Sequence, residues 1–390
     1  MKICFVCSEY PPGPHGGIGS LVQTLARALA GRGHRVRVIG VYDVGYPAPD
    51  YEEDEGVRVW RLREPRHLFG WVRARWRLFH TLSVWSRQGE IDLVEVPDYQ
   101  GWAAGWPRLP VPVVVRLSGA HAFVSSVQGL PVSTVVRWVE KATLLRADSY
   151  SAVSRYVADE TRTVFSLSNE PDTILYCPVT VPEELGPEPR TPYRVVFGGT
   201  LNFNKGILSL IEAWPQVKNR HRKAQLHIYG KDWRCDDGVM MRDRIQRRFS
   251  ATTKLDVVFH GMVNREELAR AFRSASVAVF PSRVESFALT AVEAMAWGCP
   301  TIFTRTASGP EIIDHDENGL LVNPTSVSEI ASAINRLLDD RVLATRLGTA
   351  GRRKVRDHFS IPVLIPQNEA FFAAAVQRFK RQQVLCEPPQ

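Results

Sequence analysis

The sequence lacks any apolar run long enough to cross a membrane. Its longest uncharged apolar stretches, such as Val111–Val115 and Val277–Phe280, are far shorter than the ~18 residues that a transmembrane helix needs. Charged residues make up 23 % and hydrophobic residues 44 % of the 390 positions, which excludes wholesale disorder, a collagen-like repeat and a coiled coil. We therefore expect a globular protein of two or three domains.

Cysteine is also scarce, and the spacing of the cysteines does not predict a metal site. Among the six cysteines, only Cys4 and Cys7 form a C-x-x-C pair, and that pair lies inside an apolar run. Positions three apart in a strand point to opposite faces, and no nearby histidines complete a zinc set. We therefore predict two buried strand cysteines. Because Met1 leads directly into this strand, no signal peptide is expected, and a cytoplasmic location is predicted.

Acidic residues are outnumbered, and the positive surplus is concentrated in residues 58–77, the basic aromatic segment. The net charge is +8, and this segment holds seven arginines but one acid, Glu64. Interleaved aromatics and arginines are typical of a segment on an anionic membrane surface, and they would also suit an acidic or lipid-pyrophosphate acceptor. The alternative is a helix with core aromatics and solvated arginines, and no nucleic-acid motif accompanies the segment. The predicted patch consists of Arg58, Trp60, Arg61, Arg63, Arg66, Trp71, Arg73, Arg75, Trp76 and Arg77.

Strand and helix patterns alternate along both halves of the chain. Lys2–Cys7, Leu21–Ala30 and Val36–Val41 have the composition of a strand, a helix and a second strand, which implies a parallel sheet. A second series of the same kind begins with a strand at Arg194–Phe197. Both halves are thus predicted to be α/β and doubly wound, in the manner of a Rossmann domain.

Prolines are concentrated in the segment between these two halves. Five prolines fall between positions 178 and 192, and no regular element survives that density. We therefore predict a linker at 181–192 between an N-terminal domain, 1–180, and a C-terminal domain, 193–361. The tail, 362–390, is predicted to be helical and to pack back on the first domain. The expected fold class is α/β, with two Rossmann-like domains facing a central cleft.

The most informative local pattern is the segment 281–300, which follows a buried strand. Glu285 is predicted to lie in a short loop, and Glu293 two turns into the helix that begins near Phe287. Eight residues at 1.5 Å per residue would separate the two carboxylates by about 12 Å, the reach from a sugar to a ribose across a diphosphate. The alternative is a capping glutamate and a surface glutamate. The helix start would offer anion-binding backbone amides from Ser286, Phe287, Ala288 and Leu289.

Three further loops follow predicted strands, where open α/β sheets place ligands. The loop from Gly199 carries Lys205, which could neutralise phosphate oxygens or could be a solvated lysine. The glycines at 16, 17 and 19 would let backbone amides approach a ligand, although the spacing is not the dinucleotide pattern G-x-G-x-x-G. His121 follows a strand, and the alternative is a loop histidine without a role.

Asp314-His315-Asp316 is interpreted as a turn, so no metal is expected.

In their order along the chain, these motifs resemble family 4 of the retaining glycosyltransferases. The resemblance rests on G-G-I-G from Gly16, the histidine at 121, A-D-S-Y-S-A-V-S from Ala147, G-T-L-N-F-N-K-G from Gly199 and E-S-F-A-L-T-A-V-E from Glu285. It covers nearly the whole chain. The resemblance implies a B-type glycosyltransferase fold whose C-terminal domain holds a nucleotide-sugar donor.

The resemblance also implies roles for individual residues. The glutamate matching Glu285 contacts sugar hydroxyls, the one matching Glu293 binds the ribose, and Lys205 matches a phosphate-binding lysine. His121 matches a histidine beside the donor sugar. Thr200 departs from the family, which usually has arginine there, and Ala288 stands where many members have glycine. The remaining residues implied in donor binding are Gly17, Gly19, Gly199, Ser286, Phe287, Ala288 and Leu289.

The activity implied is transfer of a hexose with retention of configuration, without metal or cofactor. Uridine diphosphate sugars are the favoured donors and guanosine diphosphate sugars the next. Lipid-linked sugars, glycolipids and polysaccharides are the expected acceptors, in surface-polysaccharide or glycolipid assembly, with peripheral association with the inner face of the cell membrane. The alternatives are a nucleotide-sugar epimerase on the same fold and a nucleotide-sugar-binding relic without catalysis.

Overall fold

The computed structural model describes residues 1–64, 68–185, 190–249 and 256–386, which form two compact α/β units. Unit 1 comprises Met1–Pro178 and Ile361–Gln390, and unit 2 comprises Val179–Ser360. Each unit is built on one largely parallel sheet with helices connecting its strands. The predicted α/β class with two parallel-sheet domains is therefore confirmed. No helix in the described part of the chain is long and apolar enough to cross a membrane.

The sheet of unit 1 has eight strands in the order β3-β4-β2-β1-β5-β6-β7-β8. Only β3 and β4 pair antiparallel, as a hairpin. The strands are β1 (Lys2–Val6), β2 (Arg35–Tyr42), β3 (Tyr51–Asp54), β4 (Val57–Arg63), β5 (Leu93–Pro97), β6 (Val113–Leu117), β7 (Ser149–Ala152) and β8 (Thr173–Ile174). The helices are α1 (Gly17–Gly31), α2 (Leu68–Arg87), α3 (His121–Val127), α4 (Thr134–Arg146) and α5 (Arg155–Phe165).

The core of unit 1 lies on both faces of this sheet. Cys4 and Cys7 are both fully buried and belong to separate hydrophobic clusters, as the strand alternation predicts. The last helix of the chain, α13 (Ile361–Cys386), lies on the cluster that holds Cys7, where Phe372 meets Phe5 with ring centroids 6.1 Å apart. The C-terminal helix is thereby part of unit 1.

The sheet of unit 2 has six parallel strands in the order β11-β10-β9-β12-β13-β14. The strands are β9 (Arg194–Gly198), β10 (Gln225–Tyr229), β11 (Val257–Gly261), β12 (Val277–Phe280), β13 (Thr301–Thr304) and β14 (Leu320–Val322). The helices are α6 (Ile207–Arg220), α7 (Met241–Phe249), α8 (Arg265–Ser274), α9 (Leu289–Ala296), α10 (Gly309–Ile312), α11 (Val327–Asp339) and α12 (Arg341–His358). The order of the strands reverses between β9 and β12, and α/β sheets bind ligands at such a switch point.

The predicted linker is only partly described, because residues 186–189 lie outside the described ranges. Its last residues pack on unit 2: Arg190 donates hydrogen bonds to the carbonyl oxygens of Ala275, at 2.9 Å, and Gly298, at 2.5 Å. The contact-based boundaries fall after Pro178 and after Ser360. The segment that the prolines mark is thus held by side-chain hydrogen bonds at its C-terminal end.

Candidate functional site

Two loops meet at the switch point of unit 2, one after β9 and one after β12. The first begins at Gly199, whose φ of 152° is a conformation that L-residues rarely adopt. Its N–H donates to the carbonyl oxygen of Tyr229 at 2.8 Å, and the Asn202 side chain accepts the N–H of Lys205 at 3.0 Å. These bonds hold the backbone on both sides of Thr200 and thereby set the direction in which Lys205 leaves the loop.

Lys205 and Glu285 form an ion pair across the two loops. The Lys205 Nζ lies 2.6 Å from a carboxylate oxygen of Glu285, and these side chains are 33 % and 11 % exposed. The residues are eighty positions apart, and they meet because β9 and β12 are neighbours in the sheet. The residues predicted to be catalytic are His121, Glu285 and Lys205, and the structure thus brings the last two together.

The backbones of the two loops are also in direct contact. The N–H of Arg283 donates to the carbonyl oxygen of Asn204 at 2.7 Å. Gly206, which caps α6 with φ of 69°, lies so close to the second loop that an added Cβ would be 1.8 Å from the carbonyl oxygen of Pro281. Only glycine satisfies both conditions, so Gly206 holds the loop of Lys205 against the loop of Glu285.

Replacing Gly206 by alanine is expected to separate these loops and to destabilise unit 2 by about 3 kcal/mol, from overpacking and left-handed strain together. Gly238→Ala is the matched control, because Gly238 has φ of 83° but a Cβ there meets no described atom within 4 Å. The control is expected to cost about 1 kcal/mol of strain alone. Urea unfolding of both variants measures the difference, and equal losses would contradict a role for the Pro281 contact.

The helix after Glu285 begins later than predicted, at Leu289. Ala288 has φ of −77° and ψ of 73°, and the N–H of Leu289 donates to the carbonyl oxygen of Phe287 at 2.8 Å, which makes an inverse γ-turn. The prediction that the Leu289 amide is free for an anion is therefore wrong. The 12 Å separation expected for the glutamates is also unsupported, because only Leu289–Glu293 contributes a helical rise.

Glu293 lies in α9 and faces Arg265, the first residue of α8. Their closest nitrogen and oxygen are 3.2 Å apart, and the Glu293 side chain is 25 % exposed. Burial raises the pKa of Glu293, and the charge and hydrogen bond of Arg265 act in the opposite direction. The sequence analysis did not identify Arg265, because its partner is 28 positions away.

Thr200 has an uncharged side chain. Any positive charge near these two loops therefore comes from other residues. The Thr200 side chain is half-buried, and its carbonyl oxygen accepts the N–H of Asn202 at 2.8 Å. Lys205 pairs with Glu285, and the guanidinium of Arg283 lies 4.2 Å from the ring centroid of Phe203. Lys231 accepts the N–H of Leu201 with its carbonyl oxygen at 2.9 Å, and Arg265 pairs with Glu293. Arg283 lies inside the predicted motif, and its position there was the signal that could have identified it.

In unit 1, the glycine loop leads into α1, which begins at Gly17. A carboxylate oxygen of Glu9 accepts the N–H of Gly19 at 2.7 Å, and a Cβ on Gly19 would lie 2.0 Å from the Glu9 carbonyl oxygen. A Cβ on Gly17 would meet no described atom within 4 Å. Glycine is therefore required at position 19 by contact with Glu9, a residue that the sequence analysis missed.

His121 is the first residue of α3, and two buried carboxylates hold the backbone around it. Glu140 accepts the N–H groups of His121, at 2.9 Å, and Ala122, at 3.0 Å. Asp98 accepts the N–H groups of the three preceding residues, Ser118, Gly119 and Ala120, at 3.0, 3.2 and 3.1 Å. Five consecutive amides are thus bound by two acids from distant parts of the chain.

Burial shifts the titration of both acids. Asp98 and Glu140 are inaccessible to solvent. Burial raises the pKa of Asp98 to about 7, with the three N–H donors acting in the opposite direction and the charge of Glu140 adding to the rise. Burial likewise raises the pKa of Glu140. These acids were not predicted, because neither lies in a recognisable motif.

The basic aromatic segment does not form one exposed surface. Arg61 is buried in β4, pairs with Glu52 of β3, and donates to the carbonyl oxygen of Pro11 at 2.7 Å. Arg75 is buried and donates to the carbonyl oxygens of Gly101 and Ala104. The prediction of a shared basic patch is therefore wrong for Arg61 and Arg75.

Other arginines of the segment pair with acids, some of which the hairpin brings close. Arg58 pairs with Glu53 at 3.4 Å, Arg63 with Asp50 at 2.7 Å, and Arg73 and Arg77 with Glu64 at 2.6 and 2.5 Å. Trp60 packs on Trp85, the guanidinium of Arg75 lies over the Trp71 ring, and Trp76 is exposed. Arg66 lies outside the described residues.

Within the described ranges, no three His, Cys, Asp or Glu side chains are grouped so as to hold a metal ion. The carboxylates of the D-x-D sequence point to different cations, since Asp314 pairs with Lys354 and Asp316 with Arg336, each at 2.6 Å. His315 accepts the N–H of Leu321 at 2.9 Å. These residues therefore support a turn and the packing around it.

Comparisons with known proteins agree with this geometry. Residues 16–177 match the family model "Glycosyl transferase 4-like domain", and residues 192–340 match "Glycosyl transferases group 1". The chain is 28 % identical over 420 residues to a glycogen synthase of Mycobacterium tuberculosis, covering 98 % of this chain and 96 % of that protein.

A second relative from the same organism is a GDP-mannose-dependent alpha-(1-6)-phosphatidylinositol monomannoside mannosyltransferase. It is 28 % identical over 379 residues, covering 91 % of this chain and 93 % of that protein. Among solved structures, sucrose-phosphate synthase from Thermosynechococcus elongatus superposes with a TM-score of 0.76 at 23 % identity, covering 95 % of this chain and 98 % of that one. This likeness confirms the two-domain fold that the sequence predicts.

Proposed function

The chain belongs to the group 1 glycosyltransferases, and from that premise we propose that it moves a hexose from a nucleotide-diphosphate sugar to an acceptor with retention of configuration. The observation that carries the proposal is the Lys205–Glu285 ion pair at the switch point of unit 2. A cation for the diphosphate and a carboxylate for the sugar hydroxyls thereby lie side by side, as a diphosphate sugar requires.

The chemistry explains why these two residues are needed together. Breaking the bond between the sugar and the diphosphate builds positive charge on the anomeric carbon and negative charge on the leaving group. Lys205, whose backbone is held by its loop, stabilises this negative charge. Glu285 neutralises Lys205 before the donor binds, and then accepts hydrogen bonds from sugar hydroxyls.

Retention is proposed from the family resemblance, and the proposed route is attack on the same face, assisted by the leaving diphosphate. The leaving diphosphate takes the proton of the acceptor hydroxyl, which attacks on the same face as the departing group. Neither a metal ion nor a cofactor is required for this route. The resemblance assigns His121 a place beside the donor sugar, and Glu140 and Asp98 hold the backbone around it. Because Thr200 replaces the usual arginine, we propose that Lys205 carries most of the charge stabilisation, with Arg265 beside Glu293 as a supplement.

Donor and acceptor classes are proposed from the relatives and from the family resemblance. Uridine diphosphate sugars are proposed first, and the GDP-mannose dependence of one relative supports guanosine as the second base. A polysaccharide or a glycolipid acceptor is supported by the glycogen synthase and the phosphatidylinositol mannoside transferase. We place the reaction in the cytoplasm, with transient contact with the inner membrane face where the acceptor is lipid-linked.

Nucleoside diphosphates are expected to stabilise the protein, and a thermal-shift panel of UDP, GDP and ADP tests this. A ligand at 100 times its Kd adds about 2.7 kcal/mol to the free energy of unfolding. Glu293→Ala is expected to abolish the shift, because Glu293 is proposed to bind the ribose. The control Glu266→Ala removes an exposed carboxylate from the neighbouring helix α8 and is expected to keep the shift.

The outcomes separate this proposal from its alternatives. A shift with one diphosphate that Glu293→Ala removes identifies the donor base. No shift with any diphosphate would contradict the proposal. It would favour a relic that no longer binds the donor, because Thr200 lacks the positive charge of the usual arginine. Release of free sugar from the matching nucleotide sugar, without acceptor, then distinguishes a catalytic site from one that only binds.

A further inference from the structure

A cavity of about 1190 Å³ opens in unit 1 beside His121. We propose that it binds an uncharged saccharide acceptor and that its wall excludes sugar phosphates and sugar acids. The inference rests on the proposed function, because it assigns the acceptor class of the same reaction. The arginine-rich sequence favours an acidic or lipid-pyrophosphate acceptor, whereas the cavity favours a neutral one.

Aromatic and carboxylate side chains dominate the chemistry of the cavity wall. Trp71, Tyr99 and Tyr46 line it and are not fully buried, so they offer flat faces for the C–H surface of a sugar ring. Glu9 and Asp43 line the same wall and can accept hydrogen bonds from sugar hydroxyls. This combination is complementary to a neutral, hydroxyl-rich ligand.

Positive charge is missing from the part of this wall that the structure describes. None of the described lining residues is lysine or arginine, and His121 is the single lining residue able to carry a positive charge. Two further acids line the cavity: Glu64, which pairs with arginines of α2, and Glu140, which accepts backbone N–H groups. Among the described lining residues, a phosphate group would therefore meet carboxylates and no ammonium or guanidinium group, and the arginines beside Glu64 are paired with that acid.

Arginines do lie next to the wall, and the described ones are bound by protein groups. Arg61 lies behind the rings of Tyr42 and Tyr46, 5.5 and 6.0 Å from their centroids, and donates to backbone carbonyl oxygens and Glu52. Arg63 donates to the carbonyl oxygens of Ala48 and Tyr46 and pairs with Asp50. The guanidinium groups of Arg61 and Arg63 are therefore bound by carbonyl oxygens and carboxylates of the protein. We infer that they stabilise the wall and do not neutralise a ligand.

The expected discrimination is large enough to measure. Two like charges about 6 Å apart at an effective dielectric constant near 20 repel strongly enough to lower affinity by about 100-fold. A neutral saccharide avoids this repulsion and gains stacking on the aromatic rings. We therefore expect kcat/KM for a neutral acceptor to exceed that for its 6-phosphate by about 100-fold.

The test compares matched neutral and charged sugars as acceptors. The panel contains glucose, mannose, maltotriose and mannotriose, with glucose 6-phosphate, mannose 6-phosphate and glucuronic acid as charged counterparts. Transfer is measured with the donor that the nucleotide panel identifies, and binding is measured separately by tryptophan fluorescence. Preference for the neutral members supports the inference, whereas equal or better use of any charged member, or no binding by any neutral member, overturns it.

Variants connect the preference to the cavity. Trp71→Ala is expected to raise KM for the neutral acceptor at least 10-fold, whereas Trp138→Ala is not, because Trp138 lies on α4 with 68 % exposure and does not line the cavity. Glu9→Gln keeps the oxygen that accepts the Gly19 N–H and is expected to reduce the discrimination against 6-phosphates about 10-fold. Equal effects of the two tryptophan variants, or unchanged discrimination in Glu9→Gln, would contradict the assignment.

The same measurements separate failure of this inference from failure of the proposed function. If UDP or GDP stabilises the protein but no neutral sugar binds, the donor site stands and the acceptor assignment is wrong. If no diphosphate binds but a neutral saccharide quenches fluorescence in a Trp71-dependent manner, the cavity assignment stands and the transferase proposal is wrong.

Discussion

Replacing Lys205 by methionine is expected to lower kcat by about 10²–10³-fold in a protein that remains folded. The methionine keeps the length of the side chain but removes the charge that lies 2.6 Å from Glu285 and faces the proposed diphosphate. Since Thr200 provides no second charge in this loop, the loss is expected at the upper end of that range. Single-turnover rates with the identified nucleotide sugar measure it.

The control for this variant is Lys223→Met, which removes an exposed lysine just before β10, at the opposite edge of the sheet. It is expected to leave kcat within twofold. Glu285→Gln should also lower kcat, but with nucleoside diphosphate affinity retained, because Lys205 stays available for phosphate. Loss of diphosphate binding in Glu285→Gln with retention in Lys205→Met would contradict the assigned roles.

Replacing Asp98 by asparagine is expected to destabilise unit 1 by about 3 kcal/mol or more near pH 5, because one carboxyl oxygen is replaced by an amide donor facing backbone N–H groups. The backbone around His121 loses its support, so kcat should fall as well. Asp148→Asn is the matched control: Asp148 accepts one backbone N–H, from Val113 at 2.8 Å at the amino end of β6, and lies 3.5 Å from Arg146. It is expected to cost about 1 kcal/mol without changing kcat.

The pH dependence gives this prediction a second readout. The pKa of Asp98 is raised from 3.8 to about 7 by burial, so the unfolded chain loses its proton at lower pH than the folded one. The Asp98 contribution to stability is therefore highest below about pH 4 and falls as pH rises to about 7, by about 4 kcal/mol for a shift of about three pKa units. The cost of Asp98→Asn should consequently shrink over that range, and a cost independent of pH would contradict protonation of Asp98 in the fold.

Much of the unit 2 site could be predicted because its residues lie in loops that directly follow strands. Lys205 and Glu285 each come a few residues after a buried apolar strand, and parallel strands place such loops at one edge of the sheet. The helix start at Leu289 was missed by about two residues, since Ala288 adopts a γ-turn that leaves no signal in the composition. Arg265 was missed because pairing with Glu293 depends on how α8 packs against α9.

For the basic aromatic segment, the sequence predicts an exposed positive patch, and the structure shows that several of its arginines are paired or buried. Counted along the chain, Glu64 is the only acid among seven arginines. The hairpin of β3 with β4 brings Asp50, Glu52 and Glu53 alongside Arg63, Arg61 and Arg58. Antiparallel pairing thus provides acidic partners for three of these arginines, which the linear count does not show.

The sequence by itself determined the alternation of strands and helices, the two α/β units, the glycine positions and the motif order that identifies the family. These features depend on neighbouring residues and on strand periodicity, which are local properties. Only the tertiary structure decided which charges are neutralised, that Asp98 and Glu140 hold the backbone around His121, and that an acidic, aromatic cavity lies beside it. The reason is that charge pairing, desolvation and cavity shape depend on side chains brought together from distant positions, and no spacing along the chain records those distances.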